Sequence, residues 1–247
     1  MTEDIRLNSS KLGTQEYWNN FYKKEQQNFK DNEEDTGECW FDDSDAESKM
    51  IQFLIDKLNN DELPEALLSN PSISFLDLGT GNGHLLFQLL DDIDYEYETG
   101  EKTFKYTGID YSPDSVEFAK GVAAKKYPEL EINFEQVDLL QKGCPFLTNQ
   151  YDVLLDKGTL DAIALNQDPI EEFGGKIGME VYASQVEQMM KPGSILLITS
   201  CNFTDPELTK IITNNTGLKV WDKINYPSFE FGGVQGSTVV SIAFIKN

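Results

Sequence analysis

The sequence predicts an α/β fold: a doubly wound, mostly parallel seven-stranded sheet with helices on both faces and an antiparallel C-terminal edge strand. Three observations predict it. Short runs rich in β-branched and aromatic residues recur seven times between residues 72 and 245. Helix-length stretches separate most of the first five runs, the alternation expected of parallel strands covered on both sides. The last two runs, Leu218 to Tyr226 and Thr238 to Ile245, lack a helix-length connection, so they are expected to pair antiparallel as a hairpin-like edge.

From the N-terminus, Tyr17, Trp18, Phe21, Tyr22 and Phe29 recur at near-helical spacing between Leu12 and Phe29, which predicts an amphipathic helix packed on another element. An acidic stretch comes next, interrupted by Cys39, Trp40 and Phe41. Two adjacent aromatics are costly to leave in water, so they are expected to dock against the domain or over a ligand. Residues 44–59 read as a helix with Met50, Phe53, Leu54 and Leu58 on one face. Strands are predicted over 72–78, 105–110, 132–137, 151–156 and 194–199. Between them, helices are predicted over 85–90, over 113–127 with Ser112 as N-cap and Pro113 at N1, and over 179–190, with Pro192-Gly193 as the stop. The acidic segment Asp91 to Lys102 reads as a loop insertion.

A chain of 247 residues, 39% hydrophobic and 26% charged, has enough apolar material for one sizeable core. The expectation is a single domain over 1–247, with 1–60 a helical and acidic arm. Twenty Lys plus Arg against 43 Asp plus Glu leave a formal charge of -23. Such a surface repels phosphate backbones and anionic lipid and attracts cationic partners, so direct nucleic-acid binding and membrane docking are not expected and a basic protein substrate is. The runs Asp31 to Glu38, Asp42 to Glu47 and Asp91 to Glu101 also read as merely solvating surface. Cys39, Cys144 and Cys201 lie far apart, without the spacing of a zinc knuckle or a disulfide framework. With no apolar leader and no membrane-length run, a soluble, intracellular monomer is expected.

The strongest local signal is Leu76-Asp77-Leu78-Gly79-Thr80-Gly81-Asn82-Gly83, a buried strand running into a glycine-rich turn and then a helix. Glycines there let a ligand approach the backbone, although tight strand-to-helix packing alone also calls for them. His84 stands where a dinucleotide fingerprint has its third glycine, which weakens a nicotinamide or flavin reading. Asp110 ends the second strand, where a carboxylate can accept from two ribose hydroxyls. Asp138 ends the third, where it can accept from an exocyclic adenine amine or cap a following helix. The fourth ends in Asp156-Lys157-Gly158-Thr159-Leu160-Asp161, two carboxylates and a lysine beside the first strand. Open parallel sheets bind ligands at this carboxyl edge. The single histidine, His84, reads as a helix N-terminal or packing residue rather than a general base.

At this point the chain resembles the class I, seven-stranded methyltransferases, through Asp77 to Gly83, Asp110, Asp138-Leu139 and Lys191-Pro192-Gly193-Ser194. The resemblance implies a Rossmann-like core over 73–246. A narrower resemblance is to the protein-lysine methyltransferases that modify translation elongation factor 1-alpha. It rests on Leu12 to Trp18, Gly37 to Phe41, Asp156-Lys157-Gly158-Thr159-Leu160-Asp161-Ala162 and Ile198 to Asn202. It implies S-adenosyl-L-methionine as cofactor, S-adenosyl-L-homocysteine as product, no metal, and a cytoplasmic enzyme acting on elongation factor 1-alpha.

Carried over by position, the resemblance implies a cofactor site of Trp40, Asp77, Gly79, Thr80, Gly81, Asn82, Gly83, Asp110, Tyr111, Asp138, Leu139 and Asp156. Gly79 to Asn82 would line the methionine part, Asp110 would hold the ribose, and Asp138 with Leu139 would frame the adenine. Trp40 would close over the cofactor, and Asp156, beside the transferable methyl, would orient the amine as the catalytic residue. Asp42 departs from the pattern, in which relatives tend to have glycine. A small-molecule methyltransferase and a noncatalytic binding module that keeps the fold are the alternatives. The Asn/Asp-Pro-Pro-Tyr/Phe run of adenine methyltransferases does not occur after the fourth strand.

Overall fold

The β-rich runs become strands β1 (Ser72–Leu78), β2 (Thr103–Asp110), β3 (Ile132–Gln136), β4 (Tyr151–Lys157), β5 (Met190–Ser200) and β6 (Leu218–Ile224). A short antiparallel pair, β7 (Phe229–Phe231) and β8 (Val234–Gly236), precedes β9 (Val240–Lys246). The computed structural model describes residues 5–97, 102–227, 229–231, 234–236 and 238–247. Seven strands make one sheet in the order β3-β2-β1-β4-β5-β9-β6. The first five run parallel, and β9 pairs antiparallel with both β5 and β6. The C-terminal pair therefore forms the edge, with β6 outermost and β9 on its inner side.

The helices are α1 (Gln15–Asp31), α2 (Ala46–Asn59), α3 (Glu65–Leu68), α4 (His84–Glu96), α5 (Pro113–Lys126), α6 (Thr159–Ala164), α7 (Gly178–Gln188) and α8 (Asp205–Thr213). Alternate strand residues feed two cores, one per face. Phe75, Leu155 and Leu197 pack with α2, α4 and α5 on one side, and Leu76, Leu154 and Leu196 pack with α6, α7 and α8 on the other. No helix among the described residues is long and apolar enough to cross a membrane.

Two boundaries and three helices differ from the sequence-based expectation. Helix α4 runs on to Glu96, so the first half of the acidic Asp91–Lys102 segment is helical; buried Ile93 keeps the apolar face going, and residues 98–101 lie outside the described residues. Helix α7 ends at Gln188, and Pro192-Gly193 belong to β5, where the register with β4 shifts between Tyr151 and Val153. Helix α8, like the short α3 and α6, is an element that the strand and helix signals did not predict; Thr204 and Glu207 open it with reciprocal hydrogen bonds.

The N-terminal arm is fastened to the core by polar contacts as well as by rings. Gln15 Nε2 donates to Tyr111 O at 2.6 Å and Gln26 Nε2 to Asp114 O at 2.7 Å. Lys125 and Lys126, in the last turn of α5, pair with Glu33 and Glu34 at 2.7 Å each. Part of the acidic 31–38 run is thus matched to a helix terminus that favours cations, rather than merely solvated.

Candidate active site

The carboxyl ends of β1 to β4 open into a cavity of about 580 Å³ roofed by the arm. A smaller recess of about 40 Å³ lies between the glycine turn and Lys157. Trp40 and Tyr22 of the arm line both.

The glycine turn leaves β1 with Gly79, Gly81 and Gly83 all in the left-handed region. Gly81 is needed there for a second reason. A Cβ on it would come 2.5 Å from the Tyr22 hydroxyl of α1, so the helix could not lie over the turn. Asp110 fixes the turn from β2: one carboxylate oxygen accepts from Gly81 N at 3.0 Å and Ser115 Oγ at 2.8 Å, the other from Ser112 N at 2.8 Å. Burial pushes the Asp110 carboxyl up, opposed by these three donors. Burial likewise pushes Asp77 up to about 7.

Half of the twelve residues named from the sequence line the larger cavity: Trp40, Gly79, Asp110, Tyr111, Asp138 and Leu139. Asp77, Thr80, Gly81 and Asn82 line the recess. The Asn82 amide is directed to the arm, donating to Thr36 O at 3.0 Å and Glu38 O at 3.2 Å. Asp138 accepts from Leu140 N at 2.9 Å, closing a turn rather than a helix.

Gly83 and Asp156 line neither space. At Gly83 a Cβ would meet the ring of Phe87 at 2.8 Å. Asp156 is fully buried, accepting from Thr159 N at 2.8 Å, from Leu160 N at 3.0 Å and from the Tyr182 hydroxyl. Its carboxyl, pushed up to about 7 by burial, is held by the start of α6 and by Tyr182 of α7. Asp161 is similarly taken up by Ser200 Oγ at 2.5 Å and Cys201 N at 2.9 Å.

Several lining residues were not picked out from the sequence as site residues. The spacing of Trp18 and Tyr22 announces only a packing face of α1, yet both reach the cavity. Ile163 and the exposed residues Asp168, Glu171 and Glu172 form its far wall and mouth; no spacing pattern announces a wall built from a loop. Beside the recess, Lys157 Nζ pairs with Glu47 at 3.0 Å and donates to Trp40 O at 2.9 Å. Glu47 also meets His84 Nδ1 at 2.5 Å, and Cys39 Sγ lies 3.6 Å from it. Contacts with Cys39 and Glu47 push His84 up to about 10. Burial works to raise Glu47, but His84 and Lys157 bring it below the ordinary carboxylate range. His84 opens α4, as read from the sequence, and Glu47 offsets the unfavourable charge at that helix end. Asp42, the departure from the family pattern, opens a short turn, and the left-handed residues flank it at Phe41 and Asp45.

Residues 69–233 match the model of a family described as a methyltransferase domain. The chain is 46% identical over 241 residues to the protein-lysine N-methyltransferase EFM4 of Saccharomyces cerevisiae, covering 97% of this chain and 96% of that one. It is 32% identical to the human EEF1A lysine methyltransferase 2 over 237 residues, 96% of this chain and 87% of the relative. Among solved structures, the N-methyltransferase NodS from Bradyrhizobium japonicum with S-adenosyl-L-homocysteine gives a TM-score of 0.55 at 14% identity, over 93% of this chain and 98% of that one. Magnesium protoporphyrin IX methyltransferase from Synechocystis with bound SAM gives 0.53 at 15%, over 92% and 97%. At these identities the structures speak for the fold alone.

For a chain of this methyltransferase family the cofactor is S-adenosyl-L-methionine, and the site suits it. The cavity lies within the usual range of small-molecule sites, roughly 300–1,000 Å³. Asp110 offers a buried acceptor at a strand end, Leu139 and Ile163 offer apolar walls, and the Trp40 indole Nε1 is buried without a partner among the described residues, a donor available to an acceptor on the ligand. With the sheet order, the site at its carboxyl edge and the near full-length identity in agreement, this chain belongs to the methyltransferase domain family and, within it, to the S-adenosylmethionine-dependent protein-lysine N-methyltransferases.

Proposed function

We propose that this enzyme methylates a lysine of translation elongation factor 1-alpha, and that a basic segment of that factor lies along the mouth of the larger cavity. The mouth carries the reading. Asp168, Glu171 and Glu172 line it exposed to solvent, and no Lys, Arg or His is among the described residues that line the cavity; Lys142 touches the mouth only from outside, at the Glu172 carbonyl. With a net charge of -23, such a mouth attracts and orients a cationic chain. The identity of the factor comes from the name of the human relative.

In this reading Asp110 accepts from the ribose, Asp138 and Leu139 frame the adenine beside Tyr111, and Gly79 to Asn82 with Asp77 hold the methionine end under Trp40. Gly83 and Asp156 act from behind: Gly83 packs the turn onto Phe87, and Asp156 sets the start of α6. S-adenosyl-L-methionine supplies an electrophilic methyl on a sulfonium. What the chain must do is align the amine and strip it of water. A lysine amine, with an ordinary pKa of about 10.4, attacks only when neutral. The aromatic wall of Trp18, Tyr22 and Trp40 favours the neutral form by desolvation. Asp156 is enclosed by the start of α6 and Tyr182. We further take the enzyme to be a cytoplasmic, single-domain monomer; light scattering should give a mass near 28.0 kDa.

The test is incubation of the purified enzyme with radiolabelled S-adenosyl-L-methionine and purified elongation factor 1-alpha, followed by peptide mass spectrometry. One labelled peptide carrying methyl-lysine is expected. An unlabelled factor, with cofactor affinity intact, would sink the substrate assignment.

A further inference from the structure

Lys157 belongs to the most specific run of the sequence, yet it does not line the larger cavity; it borders the recess at the glycine turn. Its side chain is 11% exposed, so the ammonium has left most of its water and depends on fixed partners. One is Glu47 at 3.0 Å, itself 9% exposed and braced from its other oxygen by His84. The others are the backbone carbonyl of Trp40 at 2.9 Å and, as a long and weaker contact, Cys39 Sγ at 3.9 Å. A charge-assisted bond from a β4 residue thus ends on the arm residue whose ring closes the site. The next residues repeat the link: the Phe41 ring lies on Gly158, where a Cβ would come 2.6 Å from Cε2. Trp40 otherwise leans on other arm rings, Trp18 at 5.5 Å and Phe21 at 5.8 Å between centroids, which belong to the same arm rather than to the sheet.

We propose that Lys157 is a positioning residue: its ammonium, anchored by Glu47, holds the Trp40 carbonyl and so sets the indole over the cofactor. The proposal rests on the assignment of Trp40 to the cofactor site. It predicts that the benefit of Lys157 passes through Trp40, which a purely structural lysine would not require.

The test is a double-mutant cycle on the full chain, measuring S-adenosyl-L-homocysteine affinity by titration calorimetry for wild type, Lys157→Met, Trp40→Ala and the double variant. Lys157→Met should weaken binding about tenfold, the scale of one charge-assisted hydrogen bond, and the loss should vanish in the Trp40→Ala background. Lys157→Arg should recover most of it. In turnover, KM for the cofactor should rise while kcat at saturation changes little. Wild-type affinity in Lys157→Met, an equal loss in both backgrounds, or a fall in kcat alone would overturn the proposal. If Lys157→Met does not fold, Glu47→Gln takes its place in the cycle with the same outcomes. Unchanged affinity in Trp40→Ala would instead remove the Trp40 assignment itself, while wild-type binding would still report on the methyltransferase.

Discussion

Asp110 and Asp156 end parallel strands on either side of β1, and both are almost fully buried, but only Asp110 opens onto the cavity. The difference lies in how the helix after each strand is capped. After Asp110, Ser112 caps α5 with its own hydroxyl, accepting from Ser115 N, and Asp110 stays at the ligand edge. After Asp156 comes Gly158, which has no side chain to cap α6, so Asp156 accepts from Thr159 N and Leu160 N itself. A strand-end carboxylate is available to a ligand when the next helix brings its own cap, and is drawn into the fold when it does not.

The sharpest way to break that contrast is Asp110→Ala, which should lower S-adenosyl-L-homocysteine affinity by more than about a thousandfold, as the loss of a buried charged acceptor together with the turn it holds implies. Calorimetry giving wild-type affinity would remove Asp110 from the ribose. On the other side, Asp156→Ala leaves two backbone donors and the Tyr182 hydroxyl without their acceptor, which should cost about 3 kcal/mol in urea unfolding; Asp156→Asn, keeping an oxygen, should cost about 1 kcal/mol. If Asp156→Ala were as stable as wild type and lost turnover alone, the carboxylate would belong to the chemistry after all.

Asp77 sharpens the comparison through pH. Its folded pKa of about 7 stands above the ordinary 3.8, so between those values the folded state holds more protons than the unfolded chain. Its contribution to stability is therefore full below about pH 4 and is lost as pH rises through about 7. Relative to wild type, Asp77→Asn should gain stability across that window in chemical denaturation; parallel profiles would mean the carboxyl is not desolvated as the structure has it. A smaller effect is expected at the mouth. Raising salt should lower kcat/KM for a basic protein substrate several-fold by screening, and Asp168→Asn with Glu171→Gln and Glu172→Gln should flatten that dependence; an unchanged salt series would move the substrate elsewhere. Smallest is the arm, where Glu34→Gln removes an exposed pair with Lys126 and should leave the melting temperature unchanged.

The elements were legible where one signal sufficed. The five parallel strands declared themselves by composition and spacing, and α5 by Ser112-Pro113. Helix α8 was equally readable from Thr204-Asp205-Pro206-Glu207, a capping-box pattern with an early proline, but its helix is only nine residues long and sits between strand signals. Helix α6, six residues long, is too short for periodicity to show. Among site residues, those of the glycine turn and the ends of β2 and β3 could be named in advance, because a ligand edge is a property of strand order. Trp18 and Tyr22 could not, because an aromatic ring on a helix packs on core or on ligand with the same sequence pattern.

By itself the sequence determined the alternation of strands and helices, the glycine turn, the acidic strand ends and the negative field, all properties carried by neighbours in the chain. Only the tertiary structure decided which carboxylates face the cavity and which cap a helix, that the arm roofs the site, and that Lys157, Glu47 and His84 meet beside it. Glu47 and Lys157 lie 110 positions apart in the chain, and whether two such charges pair depends on folding that strips both of water and leaves each no better partner.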